Sequence, residues 1–164
     1  MTQLQLIVDI RQATGHGVTR PVIGGLLILT HRLDSIDVDP DASICRLGAG
    51  VKWGPVLEAA QHHGLTPLLG SSPNVGAVGY TLGGGLGWLT RLHGLASDSV
   101  VSFEVVTVDG RQIQVSADEN SELFWGLRGG GAGSLVVVTS MEVQLFPVTT
   151  VYGGNLLYPA EMAR

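Results

Sequence analysis

The segment Val75-Gly76-Ala77-Val78-Gly79-Tyr80-Thr81-Leu82-Gly83-Gly84-Gly85-Leu86-Gly87-Trp88 is the most glycine-dense part of the chain. Glycine in a helix interior costs about 1 kcal/mol relative to alanine, so such a run is unfavourable unless something offsets it. Main chain without side chains can approach a ligand closely, and its N–H groups can converge on an anion. The segment therefore suggests a loop that binds a ligand through its backbone. Tight turns and close strand packing are the alternative interpretation.

Two other segments, residues 14–17 and 128–134, have the same character. One glycine-rich loop alone is more typical of turns and packing. Three of them among 164 residues favour a ligand, and a large flat molecule that carries a diphosphate could use all three. His16 lies between two glycines of the first segment. It is either a solvated loop histidine or a nucleophile able to attach covalently to an electrophilic cofactor, and composition does not decide between the two.

Composition and motifs exclude several classes of protein. The chain has 9 Lys and Arg against 14 Asp and Glu, a formal net charge of −5, which argues against a nucleic-acid or anionic-membrane surface. Lys52 is the only lysine and does not sit in a P-loop motif. The dinucleotide fingerprint Gly-x-Gly-x-x-Gly and the hydrolase motif Gly-x-Ser-x-Gly are both missing. The 24 glycines show no Gly-X-Y period, which excludes collagen.

Cysteine and histidine give no metal site. Cys45 is the only cysteine, so neither an internal disulfide nor a cysteine zinc site can form, and we expect its side chain to be buried. The five histidines show no recognised ligand spacing. No apolar run approaches the ~20 residues of a membrane span, and the first residues do not resemble a signal peptide, so we expect a cytoplasmic protein.

Hydrophobic patterning predicts an α+β fold, mostly strands with a few helices. Apolar spacing predicts a helix from Trp53 to His63, ended by Gly64, and a second helix from Asp118 to Leu127. Other segments favour strands. Strands are expected at residues 3–10, 25–29, around 36, 43–48, 100–108, 112–116 and 136–145. Turns are expected at residues 37–41 and at Asp109-Gly110, each within a hairpin.

The glycine-rich segment, taken with five others, resembles one known family. The other segments are 13–17, 25–28, 48–53, 70–73 and 120–131, in this order along the chain. Together they resemble the FAD-linked oxidases of the vanillyl-alcohol oxidase / p-cresol methylhydroxylase (PCMH-type) superfamily, and the berberine bridge enzyme-like branch in particular. The likeness extends from about residue 12 to residue 148.

The resemblance implies a PCMH-type FAD-binding domain of two α+β subdomains that hold FAD between them. It implies that backbone N–H groups of residues 14–17 and 70–79 hold the diphosphate and the flavin ring, and that residues 136–139 lie near the adenosine half. The cofactor-binding residues it implies are Thr14, Gly15, His16, Gly17, Gly70, Ser71, Ser72, Val75, Gly76, Gly79, Tyr80, Gly83, Gly84, Val137 and Val138. His16 matches the position at which many members attach the flavin covalently. Ser72 stands where some members have a second, cysteine link.

The chain also departs from the family pattern. Members carry a further strand–helix–strand unit before the histidine loop, and they continue into a substrate domain that supplies the catalytic base. Val136 replaces a glycine of the usual Gly-Val-Val-Thr. The expected organisation is an FAD-binding domain over 1–148, N-terminally shortened, with a first subdomain at about 1–50 and a second at about 51–148. Residues 149–164 would begin a substrate domain that is lacking.

Two functions follow as expectations. The first is a truncated FAD-binding module of an oxidoreductase that would oxidise an alcohol, amine or sugar by hydride transfer to flavin, without activity on its own. Tyr80 and His93, the titratable groups nearest the glycine-rich region, are expected to be structural, and no catalytic residue is assigned. The alternative is a non-catalytic remnant or partner subunit that associates through an exposed apolar face and binds no cofactor.

Overall fold

The computed structural model describes residues 8–11, 26–130, 135–153 and 157–162. Residues 14–17, with His16 and the rest of the first glycine-rich loop, therefore lie outside the described residues. The described part contains two sheets. Strands β1 (Val8–Arg11) and β2 (Leu26–Leu29) pair in parallel as a two-stranded sheet. The α+β class predicted from the sequence is confirmed.

The second sheet has five antiparallel strands in the order β3-β4-β7-β5-β6. Its strands are β3 (Ile36–Asp39), β4 (Ile44–Gly48), β5 (Val100–Val106), β6 (Gln112–Ser116) and β7 (Val137–Gln144). The last strand, β7, lies at the centre, between β4 and β5. Residues that are adjacent on the sheet are therefore distant in the sequence.

Four short α-helices complete the described fold. They are α1 (Trp53–Gln61), α2 (Ala77–Leu82), α3 (Thr90–His93) and α4 (Ser121–Leu127). Single 3₁₀ turns cover Ala96–Ser99 and Ala160–Met162. None of the helices in the part of the chain described here is long and apolar enough to cross a membrane.

The core lies between the sheet and helices α1, α2 and α4. Trp53 from α1 and Phe103 from β5 are its largest fully buried side chains. Phe103 meets Phe124 of α4 edge to face, with ring centroids 6.1 Å apart. Cys45 is fully buried, as predicted, and burial together with the nearby Asp37 carboxylate raises the pKa of its thiol to about 11. The thiol is therefore an inert core group at neutral pH.

Most predicted boundaries are shifted by one or two residues, and two of the differences have a clear local cause. The predicted turn at residues 37–41 begins later, because Asp37–Asp39 continue β3, and the Asp39 carboxylate accepts N–H bonds from Asp41 and Ala42. The predicted helix at Asp118 starts only at Ser121, because Asn120 adopts a left-handed conformation with φ of 55°. Asp118 belongs to a turn in which the Ser116 hydroxyl accepts its N–H.

Candidate functional site

A loop of residues 70–76 leads into the glycine-rich segment and into α2. The loop is tied to α1 at its far end: the Trp53 N–H donates to the Val75 carbonyl at 3.0 Å, and the Gly54 N–H donates to the Pro73 carbonyl at 2.8 Å. The Ala77 N–H in turn donates to the Val51 carbonyl at 2.9 Å. These bonds fix the end of the loop to the core.

The start of the same loop offers free donors. The amides of Gly70, Ser71 and Ser72 donate to no acceptor within the ranges that the structure describes. Ser71 is exposed and Ser72 is half-buried. Consecutive free N–H groups on an accessible loop can hydrogen-bond an anion or a carbonyl of a ligand. The candidate residues Gly70, Ser71 and Ser72 thus have the chemistry that a backbone binding site needs.

Tyr80, on α2, lies behind this loop. Its ring is within 3.1 Å of the position that a Cβ of Gly70 would occupy and within 2.6 Å of the corresponding position at Gly85. Its hydroxyl oxygen, Oη, is buried and has no hydrogen-bond partner among the described residues. Burial raises the pKa of Tyr80, so the phenol remains protonated at neutral pH.

The second and third glycine-rich segments meet. Gly84 and Gly129 both have positive φ, of 96° and 107°, and a Cβ added at Gly129 would lie 3.7 Å from the Gly84 Cα. The Gly84 and Gly85 carbonyls accept N–H bonds of 2.9 Å from Ser97 and Ala96. The two loops predicted to serve one ligand therefore do lie side by side.

A cavity of about 450 Å³ opens beside this junction. Its lining residues are Asp98, Trp125, Gly126, Arg128, Gly129 and Gly130. The Arg128 guanidinium lies over the Phe124 ring, 4.5 Å from its centroid, which holds a cation at the cavity edge. The Asp98 carboxylate already accepts the Leu95 N–H at 2.8 Å. The cavity lining therefore carries one cation, the Arg128 guanidinium, and one anion, the Asp98 carboxylate, and the guanidinium can contact an anionic group of a ligand.

The other predicted cofactor-binding residues in this part of the chain differ in their exposure. Val138 is 2% exposed and belongs to the core cluster, so only its main chain could face a ligand, whereas its neighbour Val137 is half-buried. Gly83, at the end of α2, is exposed. Val75 is half-buried, and its carbonyl is used by Trp53 as described above. Gly76 is buried and forms an isolated bridge with Lys52.

Several glycines serve packing, which was the alternative interpretation of the sequence. A Cβ at Gly87 would lie 2.1 Å from the Leu69 carbonyl oxygen, and one at Gly50 would lie 2.2 Å from that of Thr30. Gly48 is equally crowded by the Leu33 carbonyl, at 2.3 Å. At these three positions the main chain approaches other main chain and not a ligand. Close packing therefore explains part of the glycine content, and the free Gly70–Ser72 amides are not explained in that way.

Neither Tyr80 nor His93 offers a free base. The His93 ring stacks on Phe146 with centroids 4.2 Å apart, and its Nε2 is buried without a partner in the described ranges. No group of His, Cys, Asp and Glu residues that could hold a metal ion occurs in the part of the chain that the structure describes. The candidate site therefore consists of backbone amides, glycines, the Arg128 guanidinium and the Asp98 carboxylate.

Sequence reasoning missed the side chains around the cavity. It predicted the loop at residues 128–134 for its glycines, but gave no role to Arg128 or to Trp125 and Asp98. The position of Arg128 next to a glycine run was a usable signal, because an anion-binding loop often has a cation beside it. Trp125 gave a weaker signal. It is 77% exposed on a helix whose neighbours Phe124 and Leu127 are buried.

Comparison with known proteins identifies the family of this chain. Residues 10–116 match the family model of the FAD binding domain. The FAD-linked oxidoreductase ZEB1 of Gibberella zeae is 43% identical over 145 residues, which are 84% of this chain and 26% of that protein. This chain thus spans about a quarter of the length of that relative.

Solved structures show the same relationship. The crystal structure of 6-hydroxy-D-nicotine oxidase from Arthrobacter nicotinovorans is 39% identical with a TM-score of 0.78, over 86% of this chain and 31% of that one. Glucooligosaccharide oxidase from Acremonium strictum, which has a 6-S-cysteinyl, 8α-N1-histidyl FAD, is 31% identical with a TM-score of 0.74, over 86% and 30%. Both likenesses cover nearly all of this chain.

Proposed function

This chain belongs to the FAD binding domain family of the vanillyl-alcohol oxidase / p-cresol methylhydroxylase flavoproteins, and from that premise we propose that the Gly70–Ser72 loop, the Gly84–Gly129 junction and Arg128 hold its FAD. The observation that carries the proposal is the row of free amides at Gly70, Ser71 and Ser72. Consecutive N–H donors suit a diphosphate or the carbonyl edge of a flavin.

The described residues fit this ligand in charge and shape. FAD carries a diphosphate, and the Arg128 guanidinium at the cavity edge can make a charge-assisted contact with it. Gly129 is exposed and has a positive φ, so its main chain is not covered by a side chain and a large ligand can approach it closely. When bound, FAD supplies a two-electron acceptor for the oxidation of a substrate.

We propose that the oxidation concerned is hydride removal from an alcohol, amine or sugar, and that this chain alone binds the cofactor without turning over a substrate. Three titratable groups among the described residues near the site are engaged in the fold: the Tyr80 hydroxyl is buried, the His93 ring is stacked on Phe146, and the Asp98 carboxylate accepts the Leu95 N–H. A base must take the substrate proton in such a reaction. In this proposal the chain binds the cofactor but does not by itself catalyse the oxidation.

Loading with FAD tests the proposal. The purified chain, unfolded, refolded with excess FAD and passed through a desalting column, should retain about one FAD per chain and show the two visible absorption bands of oxidised flavin. Arg128→Gln should retain FAD more weakly, by about tenfold in Kd, because a charge-assisted contact to a phosphate is lost. Arg111→Gln, on the distant β5–β6 hairpin, is the matched control and should bind like the unchanged chain.

A colourless protein that takes up no FAD would support the second candidate, a subunit that associates through an apolar face. That candidate has its own observation: Leu86, Trp88 and Leu92 lie close together in the chain and are 75%, 55% and 71% exposed. Apolar patches of this kind mark interaction surfaces. In that case a dimer or larger oligomer should form in the absence of flavin.

We further propose that one covalent bond links His16 to the 8α carbon of the flavin. The new bond replaces a C–H bond of the 8α-methyl group and the imidazole N–H bond, and the two electrons released pass through the flavin to dioxygen. Its support is the Gly15-His16-Gly17 motif and the 8α-histidyl FAD of the Acremonium strictum oxidase. Ser72 at the position of the second link leaves a single bond. After acid precipitation the yellow colour should stay with the protein, and His16→Ala should release it to the supernatant. Colour that leaves the unchanged chain as readily as the variant contradicts the bond.

A further inference from the structure

The Tyr80 ring is enclosed by three glycines of the segment that surrounds it. A Cβ at Gly70 would lie 3.1 Å from Tyr80 Cε2 and 3.4 Å from its hydroxyl oxygen. A Cβ at Gly85 would lie 2.6 Å from Cε1, and one at Gly87 would lie 3.1 Å from the hydroxyl oxygen. The chain on both sides of α2 thus folds back onto one ring.

The ring has a fixed position. Tyr80 packs edge to face on Trp53, with ring centroids 5.9 Å apart and planes at 88°. Trp53 is 1% exposed at the start of α1, in the centre of the core. The Tyr80 ring therefore lies between the core and the loop of residues 70–76, in contact with both.

Gly70 is the most informative of the three contacts. The three atoms nearest its Cβ position all belong to the Tyr80 side chain, whereas Gly85 also meets Ala96 and Gly87 meets the Leu69 carbonyl. Gly70 is also not among the glycines with positive φ. The Tyr80 ring is therefore the first group that a side chain at position 70 would meet.

The hydroxyl group contributes nothing visible to this contact. Tyr80 Oη is buried, yet it hydrogen-bonds to none of the residues described. A buried hydroxyl without a partner is destabilising, so its removal should be neutral or favourable. The ring, and not the hydroxyl, is the part that the loop requires.

We propose that Tyr80 is a positioning residue. Its ring packs against Gly70 and so holds the Gly70–Ser72 main chain in the position in which its free amides face the cofactor. This proposal rests on the proposed function for its effect on FAD, and on the Gly70–Tyr80 contact for its effect on stability. Gly70 and Tyr80 act as one unit: the glycine is required because the ring is there.

Four variants test it: Tyr80→Phe, Tyr80→Leu, Gly70→Ala and the double variant Gly70→Ala/Tyr80→Leu. All variants also carry His16→Ala, so that FAD binding is reversible, and the readouts are the Kd for FAD from flavin fluorescence quenching and the urea midpoint of unfolding. Tyr158→Phe and Tyr158→Leu, at an exposed tyrosine, are the matched controls and should leave both readouts unchanged.

Tyr80→Phe should keep the Kd within about twofold and leave the midpoint unchanged or higher. Tyr80→Leu and Gly70→Ala should each raise the Kd by about tenfold or more, because the loop loses its support or is pushed off the ring. The double variant should be no worse than the worse single variant, since leucine makes room for the added methyl group.

Three results would overturn the proposal. One is a Tyr80→Phe variant that loses FAD as strongly as Tyr80→Leu, which would make the hydroxyl itself a ligand contact. Another is a Gly70→Ala variant that binds FAD normally, and that comparison decides the matter even where Tyr80→Leu fails to fold. The third is simple additivity of the midpoint losses in the double variant. If the unchanged chain does not bind FAD, the proposed function is wrong. The urea midpoints of unfolding still show in that case whether Gly70 and Tyr80 are coupled.

Discussion

Glu104 connects three strands on the outer face of the sheet. Its carboxylate accepts a hydrogen bond from Ser140 on β7 at 3.0 Å, from Gln112 on β6 at 2.7 Å and from Arg46 on β4 at 3.1 Å. The hydrogen bonds from Ser140 and Gln112, with the Arg46 charge, lower the pKa of Glu104 below its ordinary value of 4.5. The folded state therefore stabilises the ionised carboxylate.

This network gives a pH prediction. Because the pKa of Glu104 is lower in the folded than in the unfolded chain, its stabilising effect is complete above about pH 4.5 and is lost as the pH falls through the lower, folded-state pKa. Glu104→Gln should lower the free energy of unfolding by about 1 kcal/mol at pH 7 and by much less near pH 3. Urea unfolding at the two pH values measures this difference.

Glu119→Gln provides the control for that measurement. The Glu119 side chain is exposed and makes no side-chain hydrogen bond to any residue that the structure describes. This variant should match the unchanged chain at both pH values. A Glu104→Gln loss that is equally large at pH 3 would mean that the charge of the carboxylate is not what stabilises the sheet.

At the residue scale, the sequence identified glycines as the important residues but did not show which of them leave amides free and which serve packing. Glycines in three segments led to the prediction of backbone use. Gly70 to Ser72 have the free amides that this interpretation requires, whereas residues 14–17 lie outside the described residues. Gly87 and Gly50 looked the same in the sequence but face main-chain carbonyls. The sequence does not show which atoms approach a glycine, because those atoms belong to residues that are not adjacent to it in the chain.

At the scale of elements, local patterns gave most of the strands and helices. The Asp109-Gly110 turn joins β5 and β6 as predicted, and Gly110 has the positive φ, 81°, that such a turn needs. The order of the five strands could not be read from the sequence. It places β7 between β4 and β5, and such non-local pairing depends on packing of the whole core.

The approach of Gly87 to residue Leu69 gives a prediction for the glycine-rich element. Gly87→Ala places a Cβ 2.1 Å from the Leu69 carbonyl oxygen, which is main chain and cannot turn aside. We expect a loss of about 2 kcal/mol or more in the free energy of unfolding, from overpacking of an interior site. Chemical unfolding of the variant measures it.

Gly110→Ala is the comparison for that variant. No atom lies within 4 Å of its Cβ position, so it carries only the cost of a positive φ. It should lose about 1 kcal/mol. Equal losses at Gly87 and Gly110 would show that crowding by Leu69 adds nothing.

At the scale of the whole molecule, composition and structure agree. Only 14% of the residues are charged, and large apolar side chains such as Trp88, Trp125 and Tyr152 are exposed. The chain spans about 26% to 31% of the lengths of the relatives described above. These side chains match the exposed apolar face that the second functional expectation assumed, although the sequence did not show where such a face lies.

The central claim is that the main-chain amides of Gly70, Ser71 and Ser72 bind FAD. Amide ¹H–¹⁵N NMR spectra of the labelled chain, recorded as FAD is added, test it residue by residue. We predict that the largest shifts and the strongest protection from hydrogen exchange occur at Gly70, Ser71 and Ser72, whereas Gly64 and Gly110, whose amides already donate to the Gln61 and Thr107 carbonyls, do not move. FAD binding that leaves those three amides unshifted, or shifts them no more than Gly64 and Gly110, contradicts it.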